Sequence, residues 1–182
     1  MAKVLVPLAD GCEEMEAVII IDTLRRAGWE VTSVGLEEGP ITASRGVRIL
    51  PDKTWGEIDP SAYDIFVLPG GAEGTEHLCG DERVLATIRA FHRDRKRIAA
   101  ICAGPLVLQE AGVLDATRVT CHPSVVEQLT QAVQSGERVV IDGLITTSQG
   151  PGTSFEFALS IIAQVDGQQK SDEIARAMVV NY

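Results

Sequence analysis

Positive charge is scarce in this sequence. Sixteen lysines and arginines face 26 aspartates and glutamates, a net charge of −10 over 182 residues. That balance excludes a nucleic-acid backbone or an anionic membrane surface as the main partner, but not a local basic pocket for a small anion. Long apolar runs are missing as well. The apolar stretch within Met1–Asp10 is too short for a signal peptide or a membrane span, and no later run reaches bilayer length. Cysteine pairs are absent: Cys12, Cys79, Cys102 and Cys121 are scattered and match neither a disulfide framework nor a zinc pattern. Free thiols in a reducing, cytoplasmic setting are the expectation. The dinucleotide fingerprint Gly-x-Gly-x-x-Gly is also missing after the first apolar run, where Gly11 stands alone. The expected chemistry therefore uses no cofactor and no metal.

The chain is 45% hydrophobic and 23% charged, a balance that suits a soluble globular protein. Its length suggests one domain over residues 1–182, with a core that needs no staples. Apolar runs at Val4–Leu8, Glu30–Leu36, Tyr63–Leu68, Arg97–Ile101 and Arg118–Thr120 read as strands. Helices are predicted from about Glu13 to Ala27, Asp81–Arg95, Pro105–Ala111, Ser124–Val133 and Ser171–Val179. A capping-box pattern at Thr153 and Glu156 opens another, to about Val165. Ile41–Thr42 and Val47–Leu50 form a small antiparallel excursion, and Arg138–Ile141 with Leu144–Thr147 a hairpin about Asp142-Gly143. The stretch Ala17–Ile21 is apolar on nearly all sides, which suggests a subunit interface. Strands alternating with helices imply a mostly parallel sheet covered on both faces, with ligands at the carboxyl ends of its strands.

Four places at such ends could carry chemistry. Cys102 follows the strand Arg97–Ile101, sits among small residues and precedes a helix with Pro105 near its start. That is the logic of a nucleophile elbow, and a helix amino terminus favours a thiolate. An inert buried cysteine fits the position equally well. Gly70 and Gly71 end the strand before them and could present main-chain N–H groups to an oxyanion, or simply make a turn. Glu13 and Glu14 suit a helix dipole, whereas Glu16 could face the crevice as a carboxylic acid kept protonated by burial. His122 lies between a short strand and a helix and fits a structural role as readily as a catalytic one; His77 and His92 read as exposed helical residues.

Together these segments are more specific than any one alone. Residues 11–16 (GCEEME), 68–71 (LPGG), 99–105 (AAICAGP), 122–123 (HP) and 148–157 (SQGPGTSFEF) occur in the order and spacing of the ThiJ/PfpI superfamily. The chain resembles the branch that holds the Parkinsonism-associated deglycase and its bacterial relatives. The resemblance implies a flavodoxin-like α/β three-layer sandwich of the class I glutamine amidotransferase type, and a homodimer. It implies a cofactor-independent enzyme acting on reactive 2-oxoaldehydes, converting methylglyoxal to lactate, or on early glycation adducts. The alternative is an oxidative-stress sensor or chaperone working through oxidation of Cys102. By position, the resemblance makes Cys102 the nucleophile, Glu16 its acidic partner and His122 the pocket histidine. It gives oxyanion binding to the Gly70–Gly71 turn and Ala103, and places Arg26 and Arg45 near the pocket or the dimer seam. Cys12 and Cys121 stand where relatives have other residues, and could resolve an oxidised Cys102 or simply be tolerated. A peptidase triad fits less well: its histidine would stand beside the elbow, where Gly104 and Pro105 are found.

Overall fold

The computed structural model describes residues 1–180. In chain order the elements are β1 (Lys3–Leu8), α1 (Glu14–Arg26), β2 (Glu30–Gly35), β3 (Ile41–Thr42), β4 (Arg48–Ile49), β5 (Lys53–Thr54), β6 (Ile65–Leu68), α2 (Ala72–Gly80), α3 (Glu82–Arg93), β7 (Arg97–Ile101), α4 (Pro105–Glu110), β8 (Arg118–Val119), β9 (Val133–Gln134), β10 (Val139–Asp142), β11 (Ile145–Ser148), α5 (Ser154–Asp166) and α6 (Gln168–Ala177). Seven strands form one sheet in the order β10-β11-β7-β6-β1-β2-β5. Every neighbouring pair is parallel except β10 with β11.

Side chains alternate across this sheet and feed two cores. Leu5, Phe66, Leu68, Ile98 and Ala100 face one side, where Ile88 and Phe91 of α3 and Val107 and Leu108 of α4 cover them. Val4, Val6, Val67, Ala99 and Ile101 face the other, under Ala17, Ile20 and Leu24 of α1 and Phe157 and Ile161 of α5. Both faces are covered, so a central strand such as β6 is buried along its whole length. This is the flavodoxin-like α/β sandwich the sequence leads one to expect.

Several expectations need correction. No α-helix spans Ser124–Val133; a 3-10 helix covers Pro123–Gln128 and β9 comes next. Gln109 captures the chain there, its Oε1 accepting from the Thr130 and Gln131 N–H groups at 2.8 and 3.1 Å. Gln134 then donates to the Leu129 carbonyl at 2.8 Å, so a continuing helical ladder has no place. Thr153 does not cap α5 with its side chain. Its hydroxyl turns back to the Gly150 carbonyl at 2.9 Å, while Glu156 pairs with Arg138 at 2.7 Å. The hairpin turns about Gly143-Leu144, one residue later than expected, because Asp142 pairs with Ile145. Gly143 takes the positive φ of 59°. Neither α2 nor β5 is apparent from the apolar pattern.

The sheet positions the site. Strand β1 has β2 on one side and β6 on the other, a switch in direction that opens a crevice at the carboxyl ends. The loops after β1, β6 and β7 meet there, and they carry Gly11–Glu13, Gly70-Gly71 and Cys102.

Candidate active site

Cys102 leaves β7 with φ of +64°, the left-handed conformation that a non-glycine residue seldom holds. Its surroundings over-determine that turn. The Cys102 N–H donates to the Ser148 carbonyl at 3.0 Å, and its own carbonyl accepts from the His122 N–H at 2.9 Å. Glycines let the neighbouring chain in. A β-carbon at Gly70 would lie 2.6 Å from that of Cys102, and one at Gly104 would lie 2.9 Å from the Ile101 carbonyl. Gly71 has φ of +93°, and a β-carbon there would run into the Gly11 carbonyl.

Glu16, in the first turn of α1, is fully buried. Its Oε2 accepts from the Gly70 N–H at 2.7 Å. Its Oε1 has no hydrogen-bond partner. Glu13 fixes the helix start, since its carboxylate accepts from the Glu16 N–H at 2.8 Å.

The electrostatics couple these groups. Burial pushes the Glu16 carboxyl up to about 7, against the pull of the Gly70 N–H and the Cys102 thiol. Burial and the Glu16 charge push the Cys102 thiol up to about 12, while the Gly71 and Ala103 N–H groups favour the thiolate. The expectation of a depressed thiol is thus reversed. Cys102 is only 9% exposed, and the carboxylate beside it opposes a second negative charge. The expected protonated partner acid is supported instead. When Glu16 holds a proton its opposition to the thiolate is removed, so the two groups titrate as a coupled pair.

The structure brings Cys102, Glu16, Gly70, Gly71 and Ala103 together. His122 is half-buried beside them, its Nδ1 accepting from the Ser124 N–H at 3.2 Å. Arg26 is elsewhere in its own chain: ten residues beyond Glu16 on α1, roughly 15 Å along the helix, it pairs with Asp22 at 2.6 Å. Arg45 is exposed: its main-chain N–H donates to Glu14 at 2.9 Å and its guanidinium to the Ser44 carbonyl at 3.2 Å. Cys12 is fully buried and pushed up to about 12, foremost by burial. It shares the core on the Cys102 side of the sheet, whereas Cys121 packs on the opposite side. His77 and His92 are exposed as expected, though His77 Nδ1 meets the Asp10 carbonyl at 2.9 Å. Among the described residues, no three His, Cys, Asp or Glu side chains are arranged to hold a metal ion. A cleft of about 460 Å³ nearby is lined by Asp10, Leu36, Pro40 and His77 but not by Cys102. Charge, backbone strain and main-chain N–H donors converge instead at Cys102.

Glu14 does more than complement the dipole of α1. Its buried carboxylate accepts from the Ser44 hydroxyl at 2.9 Å and the Arg45 N–H, tying the β3–β4 hairpin to the start of α1. Burial raises its pKa, but the hydrogen bonds, those from Ser44 and Arg45 among them, outweigh this and hold it below the usual value. Ser44 N–H also donates to the Cys12 carbonyl at 2.8 Å. Only the acidic run at residues 13–16 hinted at this strap.

Known proteins resemble this chain over nearly its whole length. The chain is 41% identical to Protein dj-1beta of Drosophila melanogaster over 181 residues, covering 98% of this chain and 97% of that one. It is 39% identical to Protein DJ-1 homolog B of Arabidopsis thaliana, matching 98% of its own length but spanning only 41% of that relative. It is 34% identical over 179 residues to a Caenorhabditis elegans protein named glutathione-independent glyoxalase DJR-1.2, covering 97% and 95% of the two chains. The solved structure of oxidized Toxoplasma gondii DJ-1 superposes with a TM-score of 0.96 at 36% identity, over all of both chains. Residues 2–164 match the model of the DJ-1/PfpI family. Matched by that model over most of its length, and 41% identical to a relative covered almost end to end, the chain belongs to the DJ-1/PfpI family.

Proposed function

We propose that this protein is a cofactor-independent cysteine enzyme that converts 2-oxoaldehydes to hydroxy acids, with methylglyoxal giving lactate. The observation that carries the reading is Cys102 at φ +64°, packed on Gly70, whose N–H donates to the buried Glu16 carboxyl at 2.7 Å. The Cys102 sulfur adds to the aldehyde carbon as its proton passes to Glu16, forming a hemithioacetal. N–H groups of Gly71 and Ala103, which already favour a negative sulfur, suit the developing oxyanion. Proton transfer from Glu16 to that oxygen frees the carboxylate to take the hydrogen of the same carbon as a proton and deliver it to the neighbouring carbon, while the hydroxyl proton passes to the neighbouring carbonyl oxygen, leaving a thioester of the hydroxy acid. One carbon is oxidised and the other reduced, so no outside oxidant or reductant is needed. Water then hydrolyses the thioester and releases lactate and the thiol. Early glycation adducts present the same hydroxyl-bearing carbon and are a second substrate class. The C. elegans relative bears the glyoxalase name, which supports this reading. The free state of all four thiols fits a reducing, cytoplasmic setting. No helix among the described residues is long and apolar enough to cross a membrane.

The test is to incubate pure protein with methylglyoxal and follow lactate. Turnover that disappears in Cys102→Ala supports the proposal; a rate retained in that variant overturns it.

A second reading has its own support in the oxidized Toxoplasma structure. Cys102 would be oxidised by peroxide to the sulfinate, and protonated Glu16 would donate to the new oxygen. Selective gain of two oxygen atoms at Cys102 by intact mass, with no aldehyde turnover, would favour the sensor.

A further inference from the structure

His122 is held by the turn that it opens. It caps the 3-10 turn Pro123–Gln128, and the Ser124 main-chain N–H donates to its Nδ1 at 3.2 Å. The Ser124 hydroxyl lies 2.8 Å from the same nitrogen. A main-chain amide can only donate, so Nδ1 carries no proton in this arrangement. The hydroxyl therefore donates as well. A neutral imidazole then keeps its single proton on Nε2.

The free edge of the ring is the one that matters. Cδ2, bonded to Nε2, lies 3.2 Å from the place a β-carbon would take on Gly150, just beyond the carboxyl end of β11. Strand β11 pairs with β7, and the His122 N–H is bonded to the Cys102 carbonyl. The ring edge next to Nε2 thus lies by Gly150, and the His122 main chain is bonded to Cys102, while the only lone pair of the neutral ring is already engaged by Ser124.

We propose that Ser124 is a positioning residue that locks His122 in the Nε2–H form, so that His122 offers the substrate a hydrogen-bond donor and takes no proton from it. The inference rests on the enzymatic reading above and narrows it: the proton shuttle is Glu16 alone. Geometry rather than titration keeps this histidine from acting as a base.

Two-bond proton–nitrogen spectra of the labelled full-length protein, in mildly alkaline buffer, read the tautomer without any substrate. His122→Gln removes the His122 signals and so assigns them among His77, His92 and His122. The Nε2–H pattern is expected in the wild type, a mixture in Ser124→Ala, and recovery in Ser124→Thr. An Nδ1–H pattern in the wild type, or a Ser124→Ala spectrum identical to it, overturns the lock. Methylglyoxal kinetics test the donor. Glutamine keeps an N–H near the position of Nε2 but cannot act as a base. His122→Gln is expected to stay within ~3-fold of wild-type kcat/KM, while His122→Leu loses ~10-fold, mostly in KM. Glutamine as poor as leucine overturns the donor role. A wild type with the Nε2–H pattern but no turnover would sink the enzymatic reading and leave the lock standing.

Discussion

A side chain at φ +64° is strained, and in this protein the strain sits on the reacting atom's own residue. Glycine would adopt the same conformation freely. Of two inactive variants, Cys102→Gly is therefore expected to be more stable than Cys102→Ala by about 1 kcal/mol, read from urea unfolding midpoints. Glu16 gives a second expectation at this scale. Its ordinary value is 4.5 and its folded value about 7, so the native state holds a proton that the unfolded chain has already released. Its contribution to stability is full below about 4.5 and is lost as pH rises through about 7. The loss is at most ~3 kcal/mol over that window, and Glu16→Gln should flatten the curve. A stability that rises across the same window in the wild type alone would contradict this. Cys102 is legible in the sequence because small residues bracket it at a strand end, and Glu16 because it falls in the first helical turns after another strand end and matches the family's acidic position. The direction of the thiol shift is not, since it depends first on burial and then on a carboxylate 86 residues away in the chain.

At the scale of elements, close approach explains what apolar periodicity missed. Helix α2 carries Gly74 and Gly80 and buries only Gly74, Thr75 and Leu78, too sparse a pattern to announce a helix. Its glycine is nonetheless specific. A β-carbon on Gly74 would lie 2.6 Å from both the Cα and the N of Cys12, backbone atoms that cannot swing aside. Gly74→Ala should cost about 1–3 kcal/mol and weaken turnover, because the displaced loop carries Glu13 and leads into Glu16. Thermal melts and lactate formation measure the two effects; an unchanged melt would show that α2 can retreat without harm. The buried strands, by contrast, were plain from their apolar runs. Ser124–Val133 does not form the expected helix because Gln109, well before it, and Gln134, just past it, satisfy the groups a helix would have used.

At the scale of the molecule, the outer face of α1 is left apolar. Met15 and Val18 are 55% and 51% exposed, and Leu50, just past β4, is 74% exposed. Val18 and Leu50 line one groove with Ile21 and Ile49. We propose that a second copy of this chain covers this face, which would also bring Arg26 and Arg45 toward the seam. Light scattering should report a dimer, and Val18→Glu a monomer with an unchanged circular dichroism spectrum; a monomeric wild type would refute this. Two copies at −10 each repel, so added salt should tighten the pair. The three-layer plan was readable from the alternation of elements. The covering of α1 was suggested by its apolar middle, and only the folded hairpin supplies the other wall of the groove.

The backbone at residue 102 also bears on descent. Glycine there would relieve the strain, and it differs from the cysteine codons by a single base. A lineage freed from the need for the thiol thus has an accessible downhill path. Within sequences of this fold, glycine at the position of Cys102 would mark a protein that has retired from this chemistry while keeping its architecture.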